Sequence, residues 1–179
     1  KQNSKNPGFE SLKVGDPDAS VHIEEYASLS CSHCAKFHNT VLPDLKDKYI
    51  DTGKVYLEIH DYPLNKQALD ASMLVKCMPE DKRYSLMNLL FANQSKWARA
   101  DDYQAALIQN AKLAGMSEDM AQKCLNRQTL KKNIVSNMRQ ASQLRDISST
   151  PTFILNDGAE RFTGAKSLSE FEDKIKQLN

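Results

Sequence analysis

Apolar residues in this chain follow two rhythms. Val21, Ile23, Ala27 and Leu29 alternate with more polar neighbours, the signature of a strand with one buried face. Glu25 falls on that face and is expected to point inward, while Glu24 shares the other face with His22 and Tyr26. Leu12-Lys13-Val14 before Gly15-Asp16-Pro17-Asp18 predicts a short edge strand and a turn. From Cys31 the period lengthens: Cys34, Phe37, Val41, Leu45 and Tyr49 predict one helix reaching about Tyr49, bent at Pro43, which lacks a backbone donor and crowds the preceding turn. Val55, Leu57 and Ile59 restore the alternation, which stops near Pro63.

Asn65 to about Arg145 carries only the helical rhythm. Ala68, Ala71, Leu74, Val75 and Met78 form one face, and Tyr84, Met87, Leu90 and Phe91 another. Asp101 or Asp102 can cap a helix that Gly115 ends, Ser117 can cap the next, and Leu130 to Leu144 outlines a longer one. Phe153-Ile154-Leu155, a turn at Asn156-Asp157-Gly158, and Glu160 to Thr163 then read as two strands. Ser167 caps a last helix carrying Leu168, Phe171, Ile175 and Leu178. The order predicts an α/β fold: a discontinuous sheet domain, residues 1–63 plus 146–179, interrupted by an all-helical insertion at 64–145.

Twenty-four basic residues nearly balance 23 acidic ones, leaving a formal charge of +1, which argues against nucleic acid as a partner. No apolar run is long enough to span a membrane. Lys1 to Asn6 is polar and holds no apolar signal core, so a processed chain, or one trimmed of its targeting segment, is expected. The four cysteines, an even number, fit two disulfides and an oxidising compartment.

Cys31-Ser32-His33-Cys34 is the main candidate for chemistry. A thiol reacts as its thiolate, and a helix N-terminus offers unpaired N–H groups and partial positive charge. Cys31 sits at that end and is the expected nucleophile; Cys34, one turn in on the apolar face, is the expected resolving thiol. His33 can stabilise the Cys31 thiolate, and Ser32 leaves the turn unobstructed. A zinc site would need two further ligands; Cys77 and Cys124 lie far apart in sequence, His38 reads as a packed or exposed helix residue, and His22 and His60 lack metal spacing. Neither a metal nor another cofactor is expected. Cys77 and Cys124 read as a structural disulfide within the helical block, with a shuttle pair serving Cys31 and Cys34 as the alternative. Trp97 could line a peptide groove or plug the junction between insertion and sheet. The methionines, at 73, 78, 87, 116, 120 and 138, mostly match core spacing. Taken alone, Pro151 fits an ordinary trans proline opening a strand.

Glu25, the Cys31-Ser32-His33-Cys34 dithiol, a helical insertion, the run from Leu90 to Trp97 and Thr150-Pro151 before a strand together resemble the DsbA family. These are thioredoxin-fold thiol–disulfide oxidoreductases of the bacterial cell envelope. The resemblance implies a cis Pro151 beside Cys31, with the Thr150 backbone pairing to an extended substrate. It also implies a buried Glu25 that relays protons to Cys34; a carboxylate satisfied by a lysine, such as Lys54, is the plainer reading. An exported, periplasmic or envelope oxidase acting on reduced polypeptides follows, renewed by a DsbB-type membrane oxidase. Threonine before the proline also occurs in isomerase and reductase relatives, which leaves that activity as the alternative; a peptide-holding chaperone or zinc scaffold is the alternative of another class. With no separate dimerisation segment to read, a monomer is expected.

Overall fold

The computed structural model describes residues 10–179. The reading of Lys1 to Asn6 therefore lies outside the described residues. Five strands, β1 (Leu12–Val14), β2 (Val21–Ala27), β3 (Val55–Asp61), β4 (Thr152–Leu155) and β5 (Glu160–Thr163), form one sheet in the order β1-β3-β2-β4-β5. β2 and β3 are parallel; the other pairs are antiparallel. At the centre of the sheet Glu25 registers with Ile59 on one side and Phe153 on the other. Gly15, at φ +103°, makes the turn after β1; a Cβ there would lie 2.8 Å from Ile50 Cγ2 and 2.9 Å from the Val55 carbonyl oxygen.

The single bent helix expected from Cys31 to Tyr49 is instead three pieces: α1 (Ser32–Thr40), α2 (Leu42–Leu45) and a π-helical turn at Lys46–Ile50. Pro43 breaks the run because it fits the first turn of a new helix, where its missing N–H is not needed. The strand reading through Leu29 also shortens, since β2 stops at Ala27 and Ser28–Ser30 turn the chain, with the Cys31 N–H donating to the Ser28 carbonyl at 3.0 Å.

Between β3 and β4 the described chain is helical: α3 (Lys66–Cys77), α4 (Glu80–Ala92), α5 (Gln94–Trp97), α6 (Tyr103–Leu113), α7 (Glu118–Leu125) and α8 (Gln128–Arg145). Asn65, Asp102 and Ser117 cap α3, α6 and α7 with side-chain oxygens. α9 (Leu168–Leu178) opens on a capping box between Ser167 and Glu170. A disulfide joins Cys77, at the end of α3, to Cys124 in α7.

Phe37, Phe153, Phe162 and Phe171 pack ring against ring between sheet and helices. The apolar core runs on through Leu90, Phe91 and Trp97. Trp97 has no exposed surface and donates its indole N–H to the Leu90 carbonyl at 2.7 Å, so it plugs the core and lines no groove. Met73, Met78, Met87 and Met116 are buried, whereas Met120 is exposed. No helix among the described residues is long and apolar enough to cross a membrane.

Candidate active site

Cys31 is the N-cap residue of α1, in extended conformation and half-buried. Cys34 is fully buried one turn later, and the two cysteines lie 3.6 Å apart. Both carry free thiols. The environment splits them. A hydrogen bond from the Cys34 thiol is the first cause that lowers the Cys31 pKa to about 5; desolvation opposes it, and the Thr150 side chain and the N–H groups of Cys34 and His33 add to it. The same contact with Cys31, followed by burial and the charge of Glu25, pushes the Cys34 thiol strongly upward.

His33 therefore contributes through its backbone amide. Its side chain is exposed at the start of α1, and among the described residues its ring makes no hydrogen bond or ion pair. An N-cap geometry directs backbone N–H groups at the sulfur and leaves the imidazole outside. Ser32 is likewise exposed.

The Thr150–Pro151 peptide is cis. The Cys31 thiol donates to the Thr150 carbonyl at 3.6 Å. The Thr150 hydroxyl is buried and without a hydrogen-bond partner, so it is available to the sulfur once that ionises. The turn is closed by the Thr152 hydroxyl on the Ser149 carbonyl at 2.7 Å, and the Gly164 N–H binds the Pro151 carbonyl at 2.9 Å.

Glu25 is fully buried, as the strand rhythm predicts. Its partner is His38, whose Nε2 lies 2.7 and 2.9 Å from the two carboxylate oxygens. Lys54 fails as a partner because of register. It precedes Val55, which pairs with Val21, and so sits on the order of 15 Å along the strand from Glu25. His38 follows Cys34 by four residues on one helical face, a spacing that could have flagged it. Gln94, at the start of α5, was also missed. Its amide donates to the carbonyls of Leu29, at 2.7 Å, and Cys31, at 2.9 Å, tying the dithiol loop to the helical block. No local pattern announces a contact made across 63 residues of chain.

On the opposite face the fold gathers ligand-type atoms that sequence spacing does not reveal: Glu24, Glu58 and His60 bring theirs within 4.8 Å of one another. Both Glu24 oxygens already accept from Arg145 at 2.8 Å.

A dithiol opening a helix, apposed to a cis X–Pro turn at the end of a mixed sheet, is the active-site arrangement of thioredoxin-fold proteins that exchange thiols and disulfides. The thioredoxin family model matches residues 9–177. The crystal structure of alpha-DsbA1 from Wolbachia pipientis superposes with a TM-score of 0.86 at 31% identity, covering 94% of this chain and 90% of that one. A Rickettsia conorii protein named as a protein-disulfide oxidoreductase is 31% identical over 167 residues, 87% of this chain. The chain spans 60% of that relative's length. BdbD from Bacillus subtilis, at 19% identity and a TM-score of 0.83 over 94% of this chain and 92% of its own, shares the fold. The chain belongs to the thioredoxin family, among its DsbA-like thiol–disulfide oxidoreductases.

Proposed function

We propose that this chain donates disulfides to reduced polypeptides through Cys31-Ser32-His33-Cys34, as an exported, periplasmic or cell-envelope, monomeric oxidase. A substrate thiolate attacks the Cys31 sulfur of the oxidised pair. The Cys31–Cys34 bond breaks, a substrate–Cys31 disulfide forms, and Cys34 leaves with the bonding electrons and takes up a proton. A second substrate thiolate then attacks the substrate sulfur and expels Cys31 as a thiolate. The substrate is oxidised by two electrons and the dithiol reduced by two. A DsbB-like membrane oxidase restores the disulfide. Thr150 and Pro151 form the ledge on which an extended substrate lies, and Glu25 moves protons for Cys34. Residues 64–145 act as a domain inserted into the thioredoxin unit, which the Cys77–Cys124 bridge braces.

The observation that carries this reading is the opposed pull on the two sulfurs, Cys31 drawn down to about 5 and Cys34 pushed up. One reactive, reachable sulfur beside one buried, proton-holding sulfur is what a disulfide donor needs. Cys31→Ser is expected to abolish oxidation of a reduced model peptide; full donation by that variant refutes the assignment. Equilibration of the dithiol with glutathione separates oxidase from reductase, and a strongly reducing potential would favour the latter.

A further inference from the structure

Behind the dithiol lies a buried polar pair, one member of which has no role in the chemistry described so far. Glu25 of β2 and His38 of α1 both have side chains with no exposed surface. His38 Nδ1 is buried without a hydrogen-bond partner. A proton on Nδ1, in the neutral ring or in an imidazolium, would be an orphaned buried N–H, the costlier defect compared with a bare lone pair. The hydrogen therefore sits on Nε2 and is donated to Glu25. Contact with both oxygens, at 2.7 and 2.9 Å, suits a carboxylate; a carboxylic acid would turn a hydroxyl toward one of them.

The surroundings are otherwise apolar. Phe91 of α4 stacks on the imidazole at 4.2 Å and Phe37 meets its edge at 5.3 Å. Ile59 of β3 and Phe153 of β4 flank Glu25 in the sheet, and Phe171 of α9 closes over Phe37. The titratable groups on which the charge of Glu25 acts are Cys34 on α1 and Tyr84 on α4, raised by it in both cases. His38 is the only hydrogen-bond donor to the Glu25 side chain among the described residues.

We propose that His38 is a positioning residue for the chemistry of Cys34: its Nε2–H holds Glu25 as a carboxylate, the base that takes the Cys34 proton when the disulfide closes and returns it when the disulfide opens. This rests on the proposed exchange reaction. In closure, the Cys34 proton passes to a Glu25 oxygen, the Cys34 sulfur attacks Cys31 of a mixed disulfide, and the partner leaves as its thiolate. The Nε2–H remains on the carboxyl group throughout. Without that donor a bare carboxylate would stand unpaired in an apolar core, where a carboxyl group retains its proton, and Cys34 would face no base.

The test uses the reduced chain, converted at Cys31 to the glutathione mixed disulfide, and follows closure onto Cys34 by acid quench and mass spectrometry across pH. His38→Phe, which keeps the ring stack and removes the donor, is expected to slow closure near neutral pH by at least about tenfold and to move the half-maximal rate to higher pH. His38→Gln, which restores an N–H donor, is expected to stay within about threefold of wild type. Glu25→Gln should match His38→Phe, and the double variant should be no slower than Glu25→Gln alone. The Cys31 thiolate titration should be the same in all of them. A wild-type rate and pH profile in His38→Phe, a His38→Gln as slow as His38→Phe, or multiplicative losses in the double variant would overturn the proposal. Where His38→Phe does not fold, the comparison of Glu25→Gln with Glu25→Gln/His38→Phe, which leaves no carboxylate unpaired, decides by the same rule. A wild-type chain that forms no mixed disulfide at Cys31 would instead refute the exchange reaction itself, and the role of His38 with it.

Discussion

Acidifying the reduced protein exposes the Cys31 environment directly. The Cys34 thiol's hydrogen bond, the Thr150 side chain and two backbone amides bring Cys31 from an ordinary 9.0 to about 5, against the cost of desolvation. Near pH 7 that preference for the thiolate corresponds to ~2.7 kcal/mol. The sulfur is only half-buried, so solvent screening removes roughly half, leaving ~1–1.5 kcal/mol. For a two-electron couple this displaces the dithiol potential by about 30 mV in the oxidising direction. Because folding lowers the proton affinity of Cys31, its contribution to the stability of the reduced form is complete above the ordinary value of 9.0, shrinks as pH falls, and is gone below about 5. The oxidised form has no such dependence. The assay is thiolate absorbance against pH, paired with urea midpoints of the reduced and oxidised protein over the same range. Cys31→Ser should erase the titration, and Cys34→Ala, which removes the leading donor, should move its midpoint upward. A wild-type midpoint near that of a free cysteine, or a Cys34→Ala titration identical to wild type, refutes the reasoning.

Removing the bridge with Cys77→Ala/Cys124→Ala opens a loop of sequence separation 47 and should cost ~4 kcal/mol, read as a lower urea midpoint. Disulfide donation by the folded double variant should persist; its loss would mark the pair as a shuttle. Burial opposes ionisation of Glu24, yet hydrogen bonds from His60 and Arg145 bring it down to about 2. That carboxylate's contribution to stability is present above its ordinary 4.5 and disappears as pH falls toward about 2. Arg145→Met should return the folded Glu24 toward 4.5, so the variant should be less stable than wild type above pH 4.5 and lose less stability than wild type between pH 4.5 and 2; melting curves that stay parallel to wild type through this range would contradict the assignment.

The parts of the fold that depend on one-dimensional periodicity could be read before the structure. Val21 and Ile23 alternate because one sheet face is buried, and Cys34 and Phe37 recur because α1 lies on that face. The inward placement of Glu25 followed from the same rhythm. Features set by how elements dock could not be read this way. Nothing local to Glu25 selects His38 over Lys54; the choice is made by where α1 crosses β2 and by strand register. Gln94 acts at the dithiol only because α5 sits against the Leu29–Cys31 turn. The His33 backbone amide reaches the Cys31 sulfur because Cys31 is the N-cap of α1, while the exposed His33 ring makes no hydrogen bond among the described residues.

Reach and leaving-group quality oppose each other at this dithiol. In the proposed reaction a polypeptide approaches the half-buried Cys31 and not the buried Cys34, so opening the disulfide expels Cys34, the sulfur whose anion its surroundings disfavour. A thiol with raised proton affinity leaves slowly as an anion, so the first step would stall unless a proton arrives as the bond breaks. The second step has no such difficulty: it expels Cys31, whose anion is stabilised to about 5 and departs readily. The mixed disulfide is therefore easily resolved by another substrate thiol, which favours net donation over capture, and the slow point of the proposed cycle falls on protonation behind Cys34. In the proposed cycle that proton comes back from Glu25, which took it from Cys34 when the disulfide closed and whose charge Cys34 senses in the reduced form. A chain with the same Cys31 but no proton source at Cys34 should keep its thiolate titration and lose its rate, a combination that attributing oxidising power to the nucleophile alone does not produce.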